Sequence, residues 1–313
     1  MASDGLQPPD RTTLLAAATT DSLALVKVRA TRVLPGRAWQ ELGEVELAAV
    51  DEPGPDVDVL LTPNEDVDLR LYPVLRLIAN YGVGYDRIDL DGCRARGVAV
   101  TNTPGVLDAA TADLAVALML AARRGLVAGD RLVRSGAWAS HWSEPPALAR
   151  EVSGATLGIV GLGRIGSAVA QRARGFDMDV RHVRRSEGDL DELLRSSDVV
   201  SLHVPLTTET EGLITRERLA LLRDGATLVN TARGAVVDEG ALVDELVSGR
   251  ITAGLDVFAH EPDVPAALLD LPNVVLTPHI ASATLETRAA MTRVLVDNVL
   301  AFVRGEPLLT PVD

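Results

Sequence analysis

Residues 156–166 read TLGIVGLGRIG, a string that few backbone arrangements satisfy. TLGIV has the composition of a buried parallel strand, and SAVAQRARG, after the glycines, reads as a helix ended by Gly175. Between them Gly161 supplies a tight turn, Gly163 lets a backbone approach a ligand, and Gly166 lets helix and strand pack closely. A strand, a glycine turn and a helix in this order place a pyrophosphate at the helix N-terminus. The spacing predicts a dinucleotide site, and it predicts that the chain around it is an α/β protein with parallel strands.

The remainder agrees with that class. Apolar strand-like runs, LALVKV, VELAAV, DVLLT, LRLIANYG and VAVTNT, alternate with amphipathic stretches before the glycine loop. DVVSLHVP, TLVNTARG, AGLDVF and VVLTPHIAS do so after it. A length of 313 residues suits two domains rather than one core. Residues 106–124 read as one helix, apolar on most of its circumference and so destined for a core or a subunit interface. A loop with Trp138, Trp142, Pro145 and Pro146 follows, and the last helix spans about 283–304. Residues 1–22, rich in Ala, Thr, Pro and Asp, read as a loose tail.

A net charge of −14 argues against non-specific binding to nucleic acid or to an anionic membrane. Any anionic ligand must be gathered by a local cluster of donors against the field of the whole molecule. The longest apolar run, 114–122, is far too short to cross a bilayer, and no secretory signal is expected at the start. Cys93 is the single cysteine, so no internal disulfide and no cysteine-based metal site is expected. A cytoplasmic location is the corresponding expectation.

Eighteen residues beyond Gly166, at the end of the next strand, stands the position that reads the adenosine ribose. An acid there accepts from the ribose hydroxyls and selects NAD; here the residues are Arg184, Arg185 and Ser186. A guanidinium grips a 2′-phosphate in a bidentate manner, and a serine hydroxyl adds a donor. NADP is therefore the expected cofactor, with NAD the weaker alternative.

Three further strand ends carry reactive groups: Arg233 in LVNTARG, Asp256 and Glu261 in AGLDVFAHEP, and His279 in VVLTPHIAS. Ligands bind at the carboxyl ends of parallel strands. Arginine, acid and histidine suit hydride reduction of a 2-oxo acid: the guanidinium holds the carboxylate and polarises the ketone, and the imidazolium protonates its oxygen. A carboxylate beside the imidazole orients it and favours its charged form.

From about residue 23 onward the chain resembles the D-isomer-specific 2-hydroxyacid dehydrogenases. The motifs that carry the resemblance are NYGVGYDRIDL, RGVAVTNTPGV, TLGIVGLGRIG, VSLHVPLTTET, LVNTARGAVVDEGAL, AGLDVFAHEP and VVLTPHIASAT. It implies two Rossmann-like domains with the active site in the cleft between them. Residues 1–101 plus 284–313 would form the substrate domain, and 102–283 the dinucleotide-binding domain.

The resemblance makes His279 the general acid, Glu261 its partner and Arg233 the substrate-binding arginine, with the backbone amides of Val83 and Gly84 receiving the substrate carboxylate. It makes His203, Val204 and Pro205 the adenosine-side lining, and it places Thr231 and Asp256 on the nicotinamide side. Thr111, Arg164, Ile165, Thr210 and Ala232 complete the cofactor set it implies. Within the family the chain looks most like the glyoxylate/hydroxypyruvate reductases, departing from them at Leu107-Asp108-Ala109. A homodimer is implied, and Trp138 and Trp142 are candidates either for shaping the pocket, their own or a neighbouring subunit's, or for core packing. Two other activities remain open on the same fold, a nucleotide-sensing co-repressor-like protein and a 3-phosphoglycerate dehydrogenase-like enzyme.

Overall fold

The computed structural model describes residues 26–141, 148–185 and 187–312. The tail 1–22, Trp142 and Ser186 lie outside the described residues. The chain divides into two compact units: one runs up to Leu107 and resumes at Thr284, and the other spans Asp108–Ala283.

The first unit is a five-stranded parallel sheet of β1 (Val28–Ala30), β2 (Val45–Leu47), β3 (Val59–Thr62), β4 (Leu77–Asn80) and β5 (Ala99–Thr101), in the order β2-β1-β3-β4-β5. Helix α1 (Leu90–Arg96) joins β4 to β5, and the C-terminal helix Leu285–Val303 packs alongside β4. Every residue of β3 and β4 is buried, as expected of parallel strands covered on both faces. Of the apolar run LALVKV, residues 23–25 lie outside the described residues, and the first described strand is Val28, Arg29 and Ala30. Arg29 is only 4 % exposed. Its guanidinium donates to Glu46 at 2.8 Å and to the Glu52 carbonyl at 2.9 Å, so a charged residue occupies a core position that hydropathy assigns elsewhere.

The second unit opens with α2 (Asp108–Arg123) and α3 (Leu126–Arg134). Its strands are β6 (Thr156–Val160), β7 (Asp179–Val183), β8 (Val199–Leu202), β9 (Thr227–Asn230), β10 (Thr252–Leu255) and β11 (Val274–Leu276). They pair in the parallel order β11-β10-β9-β8-β6-β7. Between them run α4 (Arg164–Arg174), α5 (Leu190–Ser196), α6 (Arg216–Leu221) and α7 (Glu239–Val247); the C-terminal helix of the first unit is α8. The strand order reverses between β6 and β8, which is where an open α/β sheet binds its ligand.

Helix α2 spends its apolar circumference inside its own unit, burying Ala112, Ala115, Leu118 and Met119 with Leu157, Ile159 and Val229 of the sheet. Gly254 on β10 makes room for it: a Cβ there would stand 2.7 Å from Leu118 Cβ. The apolarity of 106–124 is thus accounted for by the core and carries no argument for a dimer.

Candidate active site

The glycine loop behaves at each position as its spacing requires. Gly161 has φ +95°, in the left-handed region, and a Cβ there would meet the backbone of His203 at 2.9 Å. A Cβ on Gly166 would stand 2.2 Å from the Gly161 carbonyl oxygen, so only glycine lets α4 seat on β6. Gly163 faces open space, with nothing within 4 Å of its Cβ direction. Helices α5, α6, α7 and α8 are each capped by a side chain, from Asp189, Thr215, Asp238 and Thr284. Helix α4, with Gly163 at its N-cap, has no side-chain cap. Its first amides are left for an anion, in the place where a pyrophosphate belongs. Arg164 stands beside them, exposed, 3.6 Å from Asp108. Burial pushes the Asp108 carboxyl above its ordinary range, with Arg164 opposing.

At the end of β7 the backbone of Arg184 pairs with that of Glu187 in a tight turn, N to O at 2.9 and 3.1 Å. Arg185 has an acidic partner that its own neighbourhood in sequence does not reveal: its Nη2 lies 2.6 Å from Glu209, on the loop after β8. Glu209 also accepts from Thr207 Oγ1 at 2.8 Å.

His203 follows β8 at the reversal point, with Nε2 2.8 Å from Ser201 Oγ. Burial drives its pKa down to about 4, so the ring is neutral across the physiological range. Val204 packs toward Gly161 and Pro205 is exposed. The Thr210 hydroxyl donates to the Pro205 carbonyl at 2.5 Å and accepts the Thr207 N–H, which makes it a brace of this loop. Thr111 is buried on α2. Thr231, after β9, is 8 % exposed, and its hydroxyl has no hydrogen-bond partner among the described residues. Such an orphaned buried donor, an open Gly163 and an uncapped α4 all fit a dinucleotide lying along the carboxyl edge of this sheet.

The loops after β9, β10 and β11 carry the reactive groups. Asn230, the last residue of β9, closes the turn to Arg233: its Oδ1 accepts the Ala232 N–H at 3.0 Å and its Nδ2 donates to the Arg233 carbonyl at 2.9 Å. The guanidinium of Arg233 donates back to the Ala232 carbonyl at 2.7 Å. Gly234 then passes so close to the β10 loop that a Cβ would lie 1.9 Å from the Phe258 carbonyl carbon. The arginine loop and the acid loop are therefore locked backbone to backbone.

Glu261 accepts the Phe258 N–H on Oε1 at 3.0 Å and faces His279 Nδ1 with Oε2 at 2.7 Å. Burial alone would push its carboxyl up. The hydrogen bond and charge of His279, the Phe258 N–H and the charge of Arg233 outweigh it, and Glu261 is held below the usual carboxylate range. His279 itself is in the left-handed region at φ +52°, a conformation costly for a residue with a Cβ.

What holds His279 there is Asp256. The Asp256 carbonyl accepts the His279 N–H at 2.9 Å. Its carboxylate accepts Thr277 Oγ1 at 2.6 Å and the N–H groups of Ile280 and Ala281 at 2.8 Å each. Asp256 has no exposed surface. Asp256 thereby anchors the turn that carries the histidine. Burial raises its pKa, and the three donors oppose that shift.

In the first unit, Val83 and Gly84 lie on the loop that leaves β4. Sequence reasoning missed Asn230, Gly234 and Glu209. An asparagine ending an apolar strand beside a predicted site residue is a readable sign; the other two act only through space.

Comparison with known proteins then decides the family. The model of the D-isomer specific 2-hydroxyacid dehydrogenase NAD-binding domain matches residues 116–281. The chain belongs to the D-isomer-specific 2-hydroxyacid dehydrogenases. It is 47 % identical over 288 residues to a glyoxylate reductase of Pyrococcus furiosus, covering 86 % of each chain. A solved protein of Thermus thermophilus superposes with a TM-score of 0.84 at 42 % identity, over 92 % of this chain and all of that one. An NADPH-dependent glyoxylate/hydroxypyruvate reductase of Sinorhizobium meliloti, solved with NADP and malonate, gives 0.82 at 35 % identity, over 92 % of this chain and 97 % of its own. As a D-2-hydroxyacid dehydrogenase close to the glyoxylate reductases, the chain is an enzyme that reduces a 2-oxo acid with a nicotinamide cofactor. No helix among the described residues is long and apolar enough to cross a membrane.

Proposed function

We propose that this dehydrogenase is an NADPH-dependent reductase of small 2-oxo acids, of the glyoxylate and hydroxypyruvate type, yielding the D-2-hydroxy acid, with NAD used less well. The observation that carries the chemistry is the His279 Nδ1 to Glu261 contact of 2.7 Å. It commits one ring nitrogen to a carboxylate and leaves Nε2, on a half-exposed ring, to meet a reacting oxygen. Arg233, close enough to influence Glu261 by its charge, holds the substrate and polarises its ketone. His279 gives its Nε2 proton to the forming alkoxide and remains oriented by Glu261 as a neutral ring. The amides of Val83 and Gly84 take the substrate carboxylate. When bound, the cofactor supplies the hydride. It would be held by Gly161, Gly163, Arg164, Ile165 and Gly166, by His203, Val204 and Pro205, and by Thr231 and Ala232.

The cofactor preference is supported by Arg184 and Arg185 standing where an acid would repel a 2′-phosphate, and by the NADPH dependence of the Sinorhizobium meliloti relative. A homodimer is part of the same proposal, and the face of α3 supports it: Leu126 and Val133, seven residues apart, are 58 % and 56 % exposed beside Trp138 at 48 %. The substrate and cofactor preferences are tested by kcat/KM at 340 nm for glyoxylate, hydroxypyruvate and pyruvate with each reduced cofactor. NADPH favoured with glyoxylate or hydroxypyruvate supports both, and equal use of the two cofactors removes the NADP part.

A further inference from the structure

We propose that Asn80, with Asn102 behind it, is a positioning residue that turns the Gly82-Val83-Gly84 loop into a receptor for the substrate carboxylate. The proposal rests on the reading that the amides of Val83 and Gly84 receive that group. Asn80 is the last residue of β4 and is 1 % exposed. Its Nδ2 donates to two carbonyls of the loop, Gly82 at 3.2 Å and Gly84 at 2.7 Å, while its Oδ1 accepts the Asn64 N–H at 2.7 Å. The Gly82 carbonyl also accepts the Thr103 N–H at 2.9 Å. The Val83 carbonyl accepts Asn102 Nδ2 at 3.0 Å. All three carbonyls of the loop are thus held by donors from the same unit.

The consequence follows from the planarity of the peptide. In a trans peptide the carbonyl of one residue and the N–H of the next point in opposite directions. Holding the Gly82 carbonyl inward therefore aims the Val83 N–H outward, and holding the Val83 carbonyl does the same for the Gly84 N–H. Neither amide has an acceptor among the described residues. Two neighbouring amides fixed outward make an anion nest without a charged side chain, which suits a molecule whose net charge is −14.

Asn102 is in turn fixed by Thr310, whose hydroxyl donates to its carbonyl at 2.6 Å and whose carbonyl accepts its N–H at 3.2 Å. Thr310 is tied to Asn298 of α8, which is fully buried. An aspartate at position 80 keeps the shape and the acceptor for Asn64 but points a carboxylate at two carbonyl oxygens, so the loop loses the hold that sets its amides.

The experiment is calorimetric titration of oxalate into the enzyme saturated with reduced cofactor, for the wild type, Asn80→Asp and Asn102→Asp, with cofactor Kd measured alongside. Loss of the donors is expected to weaken oxalate about tenfold in Asn80→Asp and about threefold in Asn102→Asp, with cofactor Kd held within about twofold. The Asn80→Asp deficit relative to wild type should narrow as pH falls, because a protonated carboxyl regains one donor; a merely structural defect would not recover in this way. Unchanged oxalate affinity in both variants overturns the proposal, as does a loss of cofactor affinity in proportion. If Asn80→Asp does not fold, Asn102→Asp carries the test. Val83→Pro, which removes one amide, separates the two levels. Unchanged oxalate binding there removes the loop as the carboxylate site and the proposal with it. Loss in Val83→Pro with no effect at Asn80 and Asn102 overturns the proposal alone.

Discussion

Oε2 of Glu261 lies 2.7 Å from Nδ1 of His279, and its other oxygen is fixed 3.0 Å from the Phe258 N–H. The carboxylate cannot rotate away without losing a backbone donor, so it sets both the direction and the tautomer of the imidazole. On the far side, the buried Asp256 carboxylate grips the turn that forces His279 to φ +52°. A histidine held at both its ring and its backbone is aimed before substrate arrives.

Glu261→Gln should lower kcat/KM by about ten- to a hundredfold, because an amide does not orient the ring as a carboxylate does. Stability supplies an independent check. Glu261 is held below its ordinary range in the folded protein, so its contribution is present above the unfolded carboxylate value and is lost as pH falls through the lower folded value. Urea titrations should find a wild-type advantage over Glu261→Gln at neutral pH that fades in acid. An advantage that grows in acid would contradict the pairing.

Arg184→Asp should remove the NADPH preference, costing about ten- to a hundredfold in kcat/KM with NADPH while NADH is spared. Arg185→Ala should cost less, since Arg185 already neutralises Glu209 at 2.6 Å. Equal losses with both cofactors at Arg184 would mean that the arginine does not meet a 2′-phosphate.

His203 gives a second pH dependence with a definite sign. Its folded pKa of about 4 lies below the ordinary histidine value of 6.5, so the unfolded chain binds the extra proton first. Stability is complete above about pH 6.5 and declines as pH falls toward 4, by up to about 3 kcal/mol. His203→Gln should flatten the slope of unfolding free energy over that interval. An unchanged slope would place the titration elsewhere.

Gly234→Ala should cost about 1–3 kcal/mol and lower kcat, because the new Cβ would stand 1.9 Å from the Phe258 carbonyl carbon and must drive the Arg233 and Glu261 loops apart. Cofactor affinity, which depends on the β6 loop, should change little. Retained stability and kcat would show that the two loops separate freely.

Much of this was legible from residues whose role is local. Gly161 and Gly166 are dictated by a turn and a close approach within one βα unit, and both behave as their spacing requires. Glu261 and His279 each follow a strand of a kind that periodicity identifies. Arg29 defeated that reading, because burying a guanidinium requires Glu46 and the Glu52 carbonyl, which no hydropathy window contains. Glu209 lies 24 residues from its partner Arg185, and Gly234 meets Phe258 only through space. Asp256 was legible as a strand-end acid, but its grip on Thr277, Ile280 and Ala281 was not, since spacing does not show which donors a carboxylate meets.

The most direct test is single-turnover reduction of glyoxylate by the His279→Ala variant with bound NADPH, followed at 340 nm. With His279 as the general acid, the rate should fall about a thousandfold or more, and the Kd of NADPH should stay within about twofold of the wild type. A rate within tenfold of the wild type, at unchanged cofactor affinity, would mean that the proton comes from somewhere other than His279.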